Sequence, residues 1–401
     1  MHTKTMYNII RSMMGLAFNL MFTAAALYRI DIAKLEIYQL ILIGTALEIA
    51  VFLFETPTGV VADLKSRRLS VIIGLFIIGV GFIVEALTPY FIIIFLAQII
   101  WGLGYTFISG ALDAWVSDET HNIQIEKTIL TGTQFNKGFA FLGILLAGMI
   151  GMYDIRLAIY IAGTIFILLG CFAVLFMKEH QFKKVDHETH ILKAYFSQLK
   201  KGFQHIKNHH ILRLMFIAML FYGLYSEGID RTFEVNILDG LGFRTISQLD
   251  PIWILVIVAA TIELIGLMMI GIVKRYLSKG THVIFWAMQF TTMMVMGILV
   301  FAFINQPYIA LFGFLFFSFS REATYPLLDT ILVKHTPSHV KATVLSTFGQ
   351  LDAIGQLLSG VIMVGISAAF GLQNMYLITA LLLVIPIVTF IKMMRLKHHA
   401  S

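Results

Sequence analysis

The chain has 401 residues, 58% of them hydrophobic and only 13% charged, and its mean hydropathy is +0.85. A soluble domain of this length cannot hide so much apolar surface from water, so a bilayer is the expected solvent. The net charge of +6 does not point to nucleic acid, because the positive residues sit in short turns between apolar runs.

The apolar runs fall near 6–29, 37–62, 69–88, 90–116, 128–152 and 156–178, then 211–237, 251–273, 281–303, 307–333, 340–367 and 371–394. Each is far longer than a barrel strand, and backbone groups in lipid must bond within their own segment, so all twelve are expected as helices. The first run is too long for a cleavable leader and lacks a small-residue cleavage site, so it reads as a retained helix. Thr88-Pro89, Asn305-Gln306-Pro307 and the stretch around Gly371 are short connections that force antiparallel neighbours.

The long polar segment 179–210 divides the chain into two six-helix halves, 1–178 and 211–401. Its clustered histidines, His187, His190, His205, His209 and His210 among them, fit no standard metal spacing, and its basic character suits a surface linker against anionic lipid headgroups. Cys171 is the only cysteine, which excludes an internal disulfide and a cysteine-based metal site. No metal and no cofactor is expected. Lysine and arginine give the orientation: 22 fall on one side of the predicted membrane against Arg29, Lys34, Arg156 and Arg244 on the other. Both termini are therefore expected in the cytoplasm, and the protein in the cytoplasmic (inner) cell membrane.

A short basic turn occurs twice. Gly59-Val-Val-Ala-Asp63-Leu-Lys65-Ser66-Arg67-Arg68 aligns without gaps with Gly271-Ile-Val-Lys274-Arg275-Tyr-Leu-Ser278-Lys279-Gly280, at an offset of 212 residues. The repeat implies an all-α membrane protein of twelve transmembrane helices in two pseudo-symmetric six-helix bundles. Asp63 stands where it can accept hydrogen bonds from a helix N-terminus. Gly59 is expected to let helices approach closely. Arg67 and Arg68 can reach acids at the end of helix 4, Asp113, Asp118 and Glu119, forming a cytoplasmic gate.

Six helices, a basic linker, six more helices and this repeated turn resemble the major facilitator superfamily over essentially the whole chain. That family's turn follows Gly-x-x-x-Asp-x-x-Gly-Arg-Lys/Arg; Gly59, Asp63, Arg67 and Arg68 match, and Ser66 replaces the second glycine. The resemblance implies that Asp63 meets helix 11, which would start near Lys341. It also implies secondary transport, and the branch it resembles is the bacterial drug/proton antiporters. Many members carry an arginine in mid-helix 4, where this chain has Gln98. The exporters tend to carry Gly-Pro in helix 5, where Gly138, Gly143 and Gly148 occur without proline.

Ionisable groups inside a bilayer cost about 2.5–3.5 kcal/mol each on insertion scales, so each is a functional candidate. Glu227, Asp230, Arg231 and Glu234 have the spacing of one helical face. Asp230 or Glu227 is expected to pair with Arg231. Arg321, followed by Glu322, needs an anion, and by the family's packing Asp352 is the nearest, with Gln350 and Gln356 beside it. Glu48 and Glu55 lie on helix 2, where Pro57 should disturb the helix. Gln98, Gln134, Asn136, Lys137 and Glu263 are candidates for lining a cavity. Glu227, Asp230, Asp352, Glu48 and Glu55 are the candidate proton carriers. The 34 Phe and 20 Met suit a hydrophobic or amphipathic small-molecule substrate.

No nucleotide-binding loop or catalytic motif is present, so neither direct use of ATP nor enzymatic turnover is expected. The expected activity is proton-coupled efflux by alternating access, with a proton gradient as energy source. The alternatives are uptake or lipid flipping on the same fold, and a receptor or scaffold that moves no substrate.

Overall fold

The computed structural model describes residues 2–120, 125–182, 204, 206–207, 209–277, 282–336 and 341–398. Most of the 179–210 linker therefore lies outside the described residues, as do the side chains of the second basic turn at Lys274, Arg275 and Lys279. No strand occurs among the described residues. The chain runs as α1 (Thr3–Leu27), α2 (Ile37–Leu64), α3 (Arg67–Leu87), α4 (Phe91–Ile108), α5 (Ala111–Glu119), α6 (Ile125–Gly151) and α7 (Ile155–Phe176). It continues as α8 (His210–Asp230), α9 (Pro251–Leu277), α10 (Val283–Phe303), α11 (Pro307–His335), α12 (Lys341–Leu382) and α13 (Val384–His398).

Ten helical stretches among the described residues are long and apolar enough to cross a bilayer. The last of them, Thr347–Leu396, contains a break at Gly371 (φ 78°) and so holds two spans. The 29-residue α11 is not among the ten and completes the expected twelve.

Local chemistry sets the boundaries. Ser66 caps α3, its hydroxyl accepting from the Leu69 N–H at 2.9 Å. Gln306 caps α11 through the Ile309 N–H, and Pro307 takes the first helical position, where its missing N–H costs nothing. One expectation needs correction: the run 90–116 is not one helix, because Gly110 adopts φ 70° and separates α4 from α5. Pro57 lies inside α2, which continues to Leu64; the Thr58 hydroxyl bonds the Phe54 carbonyl at 2.8 Å there.

The chain divides into two compact units, Met1–Ile191 with Ser247–Ala260, and Leu192–Ile246 with Thr261–Ser401. In the first unit α1 lies against α6 so closely that a Cβ at Gly15 would collide with the Asn136 carbonyl. In the second, α8 lies against α12 in the same way. A Cβ at Gly223 would collide with the Asp352 carbonyl, and one at Gly355 would stand 2.5 Å from the Leu220 carbonyl oxygen. Between apolar helices in lipid the hydrophobic effect contributes little, and small residues that allow close backbone packing take its place. Gly355→Val should therefore push α8 from α12, at about 1–3 kcal/mol, and lower the unfolding temperature in detergent. Gly349→Ala on the same helix, where an added Cβ meets nothing within 4 Å, should leave it unchanged.

Candidate functional site

The α8–α12 contact positions an ionic cluster within the second unit. Arg321 of α11 binds both oxygens of Asp230 at the end of α8, with the Nη2–Oδ2 bond at 2.8 Å. Its guanidinium carbon stands 6.0 Å from the ring centres of Tyr225, Phe317 and Tyr325, within cation–π range. Glu227 is buried and accepts from Arg231 at 3.0 and 3.3 Å. Asp352 on α12 accepts from Gln356 at 2.8 Å through one oxygen. Its other oxygen is buried and has no hydrogen-bond partner among the described residues. Asp352 lies in the electrostatic field of Arg321, Asp230 and Glu227.

One expected pairing changes: Arg321 is held by Asp230 rather than Asp352. Of the two partners expected for Arg231, Glu227 is the one it binds. The cause is a break in the helix: α8 stops at Asp230, and Arg231 and Thr232 form a turn before the short helix Phe233–Val235. Glu234 sits on the short helix, not on the face of α8. Glu322 is half-buried beside Arg321, and Gln350 is half-buried two residues before Asp352.

The basic turn of the first unit is built from different partners than its acids suggest. Arg67 bonds Asp118, the Ala114 carbonyl at 2.8 Å and, more loosely, Asp63 at 3.8 Å. Arg68 does not reach an α5 acid. Its side chain bonds the Met177 and Val174 carbonyls at 2.5 and 2.6 Å, closing the open end of α7. Ser66 donates to Glu179 at 2.5 Å, and the Arg68 N–H donates to the same carboxylate at 3.0 Å. Glu119 accepts from the N–H groups of His180 and Gln181, both at 2.7 Å. The start of the linker is thus tied to this end of the first unit. Asp113 instead bonds Arg11 and the Tyr7 hydroxyl, the latter at 2.7 Å, joining α1 to α5. A Cβ at Gly59 would meet nothing within 4 Å among the described residues. The expected contact of Asp63 with the helix start near Lys341 lies outside the described residues, which omit 337–340 and the side chains of 341–343.

Gln98 is not a cavity residue. It is 2% exposed and donates to Glu85 at 2.7 Å while accepting from Trp101 at 2.9 Å. Glu85, absent from the expected set, has no exposed surface and also binds Arg29 at 2.7 Å. Its signal is present in the sequence as an acid one turn from the end of an apolar run. Asn136 likewise turns to the α1 contact, donating to the Arg11 carbonyl at 2.9 Å. It occupies against Gly15 the place that Asp352 occupies against Gly223. Gln134 is exposed and Lys137 half-buried on α6; Glu48 is half-buried on α2 and Glu263 on α9. Glu55 is exposed on α2, with the Ser109 hydroxyl 3.4 Å away. No group of three or more histidine, cysteine, aspartate or glutamate side chains that could hold a metal ion occurs among the described residues.

Comparison with known proteins agrees with this architecture. The chain is 27% identical over 386 residues to the uncharacterized MFS-type transporter YxaM of Bacillus subtilis (strain 168), covering 94% of this chain and 92% of that protein. Among solved structures, the nucleoside transporter NupG superposes with a TM-score of 0.80 at 14% identity, over 98% of this chain and 99% of that one. A POT family transporter bound to a thioalcohol-conjugated peptide superposes with a TM-score of 0.75 at 13% identity, over 99% and 96% of the two chains. At these identities the two structures bear on the fold alone. Residues 7–360 match the Major Facilitator Superfamily, and the chain belongs to that superfamily, a multi-pass membrane transporter and not an enzyme.

Proposed function

We propose that this transporter exports hydrophobic or amphipathic small molecules in exchange for protons, by alternating access of its two halves. The observation that carries this reading is the Asp230–Arg321 pair with Asp352 nearby, one Asp352 oxygen lacking a hydrogen-bond partner among the described residues. Asp230 and Asp352 compete for one guanidinium. Protonating either acid releases Arg321 to the other, and that exchange would bias the equilibrium between conformations. No cofactor enters this scheme; the proton gradient supplies the energy. The Arg67–Asp118 bond would act as a latch at the cytoplasmic gate. The lysine and arginine bias supports an inner-membrane location with both termini in the cytoplasm.

The test uses proteoliposomes and a panel of amphipathic dyes. Nucleosides belong in the panel because NupG, similar in fold, is a nucleoside transporter. The wild type should move its substrate against a gradient when a pH difference is imposed. Asp352→Asn should lose that accumulation yet keep substrate exchange, since the amide can still accept from Gln356. Accumulation that survives collapse of both the pH difference and the membrane potential would remove the proton from the scheme. Uptake or lipid flipping is the second reading, favoured by α6, which runs unbroken from Ile125 to Gly151 without proline. The direction of movement under an imposed gradient decides between them.

A further inference from the structure

A groove of about 510 Å³ opens between the first turns of α8 and the last turns of α13. Its rim carries His210, Arg213, Lys392 and Arg395, and no acid lines it. Among the described residues Arg213 bonds the His210 ring, at 2.6 Å, and Lys392 and Arg395 have no ion-pair or hydrogen-bond partner. Three positive charges thus stand together with no acid beside them among the described residues. The α8 start adds to them, because His209 offers no side-chain cap and the free N–H groups of the first turn carry partial positive charge. The remaining wall is apolar: Leu214, Ile217 and Leu396, with Ile217 and Leu396 each 40% exposed.

α8, and the stretch up to Leu396 that contains most of α13, are long and apolar enough to cross a bilayer, which puts their ends where headgroups meet acyl chains. A soluble anion would use the cations but leave the leucines and isoleucine bare. A zwitterionic lipid would cover the apolar wall but bring no net charge. We infer that this groove is a binding site for an anionic glycerophospholipid, its phosphate held by Arg213, Lys392 and Arg395 and its acyl chains against Ile217 and Leu396. The lysine and arginine stems support this arrangement by lying along apolar surface while their heads reach the phosphate. With the proposed orientation, the lipid comes from the cytoplasmic leaflet.

The test is native mass spectrometry of the full-length protein in mild detergent, titrated with phosphatidylglycerol, phosphatidylcholine or inorganic phosphate. Phosphatidylglycerol should be retained selectively. Each near-surface cation adds about fivefold to anionic-lipid affinity, so Arg213→Gln/Lys392→Gln/Arg395→Gln should weaken retention roughly hundredfold. Lys334→Gln on α11 should not change it. Raising the ionic strength should weaken retention by the unaltered protein as well, which provides a reading even if the triple variant does not fold. Equal retention of phosphatidylcholine, retention unmoved by the triple change or by salt, or binding of inorganic phosphate as tight as that of the lipid would overturn the assignment.

Discussion

Replacing Asp230 with asparagine should abolish transport, by at least about a hundredfold, and destabilise the folded protein by about 3 kcal/mol, the lower end for breaking a buried ion pair. The lower end applies because the two side chains keep 27% and 29% of their surface exposed. The loss comes less from the bond itself than from what remains. Arg321 would lose its bidentate partner among Tyr225, Phe317 and Tyr325 and keep only Asp352, with which it makes no ion pair in this conformation. Asp352 is the other acid in its field, and the Gly223–Gly355 contact fixes the α12 backbone that carries it.

Removing both charges separates structure from mechanism. Asp230→Asn/Arg321→Gln should recover most of the thermal stability lost in the single variant, because no unpaired charge is left in an apolar setting. It should not recover transport, because the cation for which the two acids compete is gone. Unfolding temperature in detergent and dye flux in proteoliposomes read the two quantities independently. Normal flux in the single Asp230→Asn variant would show that the pair has no part in transport.

The spans were legible in the sequence because hydropathy is a local average, and a run such as 69–88 announces a helix whatever it packs against. Partner choice was not legible, because it depends on where each helix stops. Arg321 and Asp230 are 91 residues apart, and their pairing follows from α8 ending at Asp230 rather than running to 237. Arg68 was assigned to acids because an arginine beside acids suggests an ion pair. Its strongest available acceptors were instead the carbonyls that α7 leaves open at its end. The spaced glycines of α6 stand out in the sequence, but Gly223 and Gly355 do not, because close approach depends on which two helices meet. Glu85 is hidden by averaging: one acid in a helix otherwise apolar beyond Ser70 hardly changes the hydropathy of α3.

Glu85 therefore sets the second large expectation. Glu85→Ala should cost about 3–5 kcal/mol, the loss expected when one partner of a buried ion pair is removed. It would strand Arg29 and the Gln98 amide together, whereas Glu85→Gln keeps an acceptor for Gln98 but still leaves Arg29 without its counter-charge, so it should cost about 3 kcal/mol, the lower end of that range. Arg29 lies in the π-helical turn Tyr28–Ile32 that ends α1, Glu85 on α3 and Gln98 on α4, so one carboxylate fastens three segments of the first unit. A proton carrier must exchange with water in at least one state. Glu85 has no exposed surface, and both its oxygens are engaged by Arg29 and Gln98, whereas Asp352 keeps one oxygen without a partner among the described residues. The expectation is thus a divided one: Glu85→Gln lowers the unfolding temperature while transport per folded molecule and its dependence on the pH gradient stay as in the wild type. A stable Glu85→Gln protein that has lost gradient-driven transport would move the coupling acid from the second unit to the first.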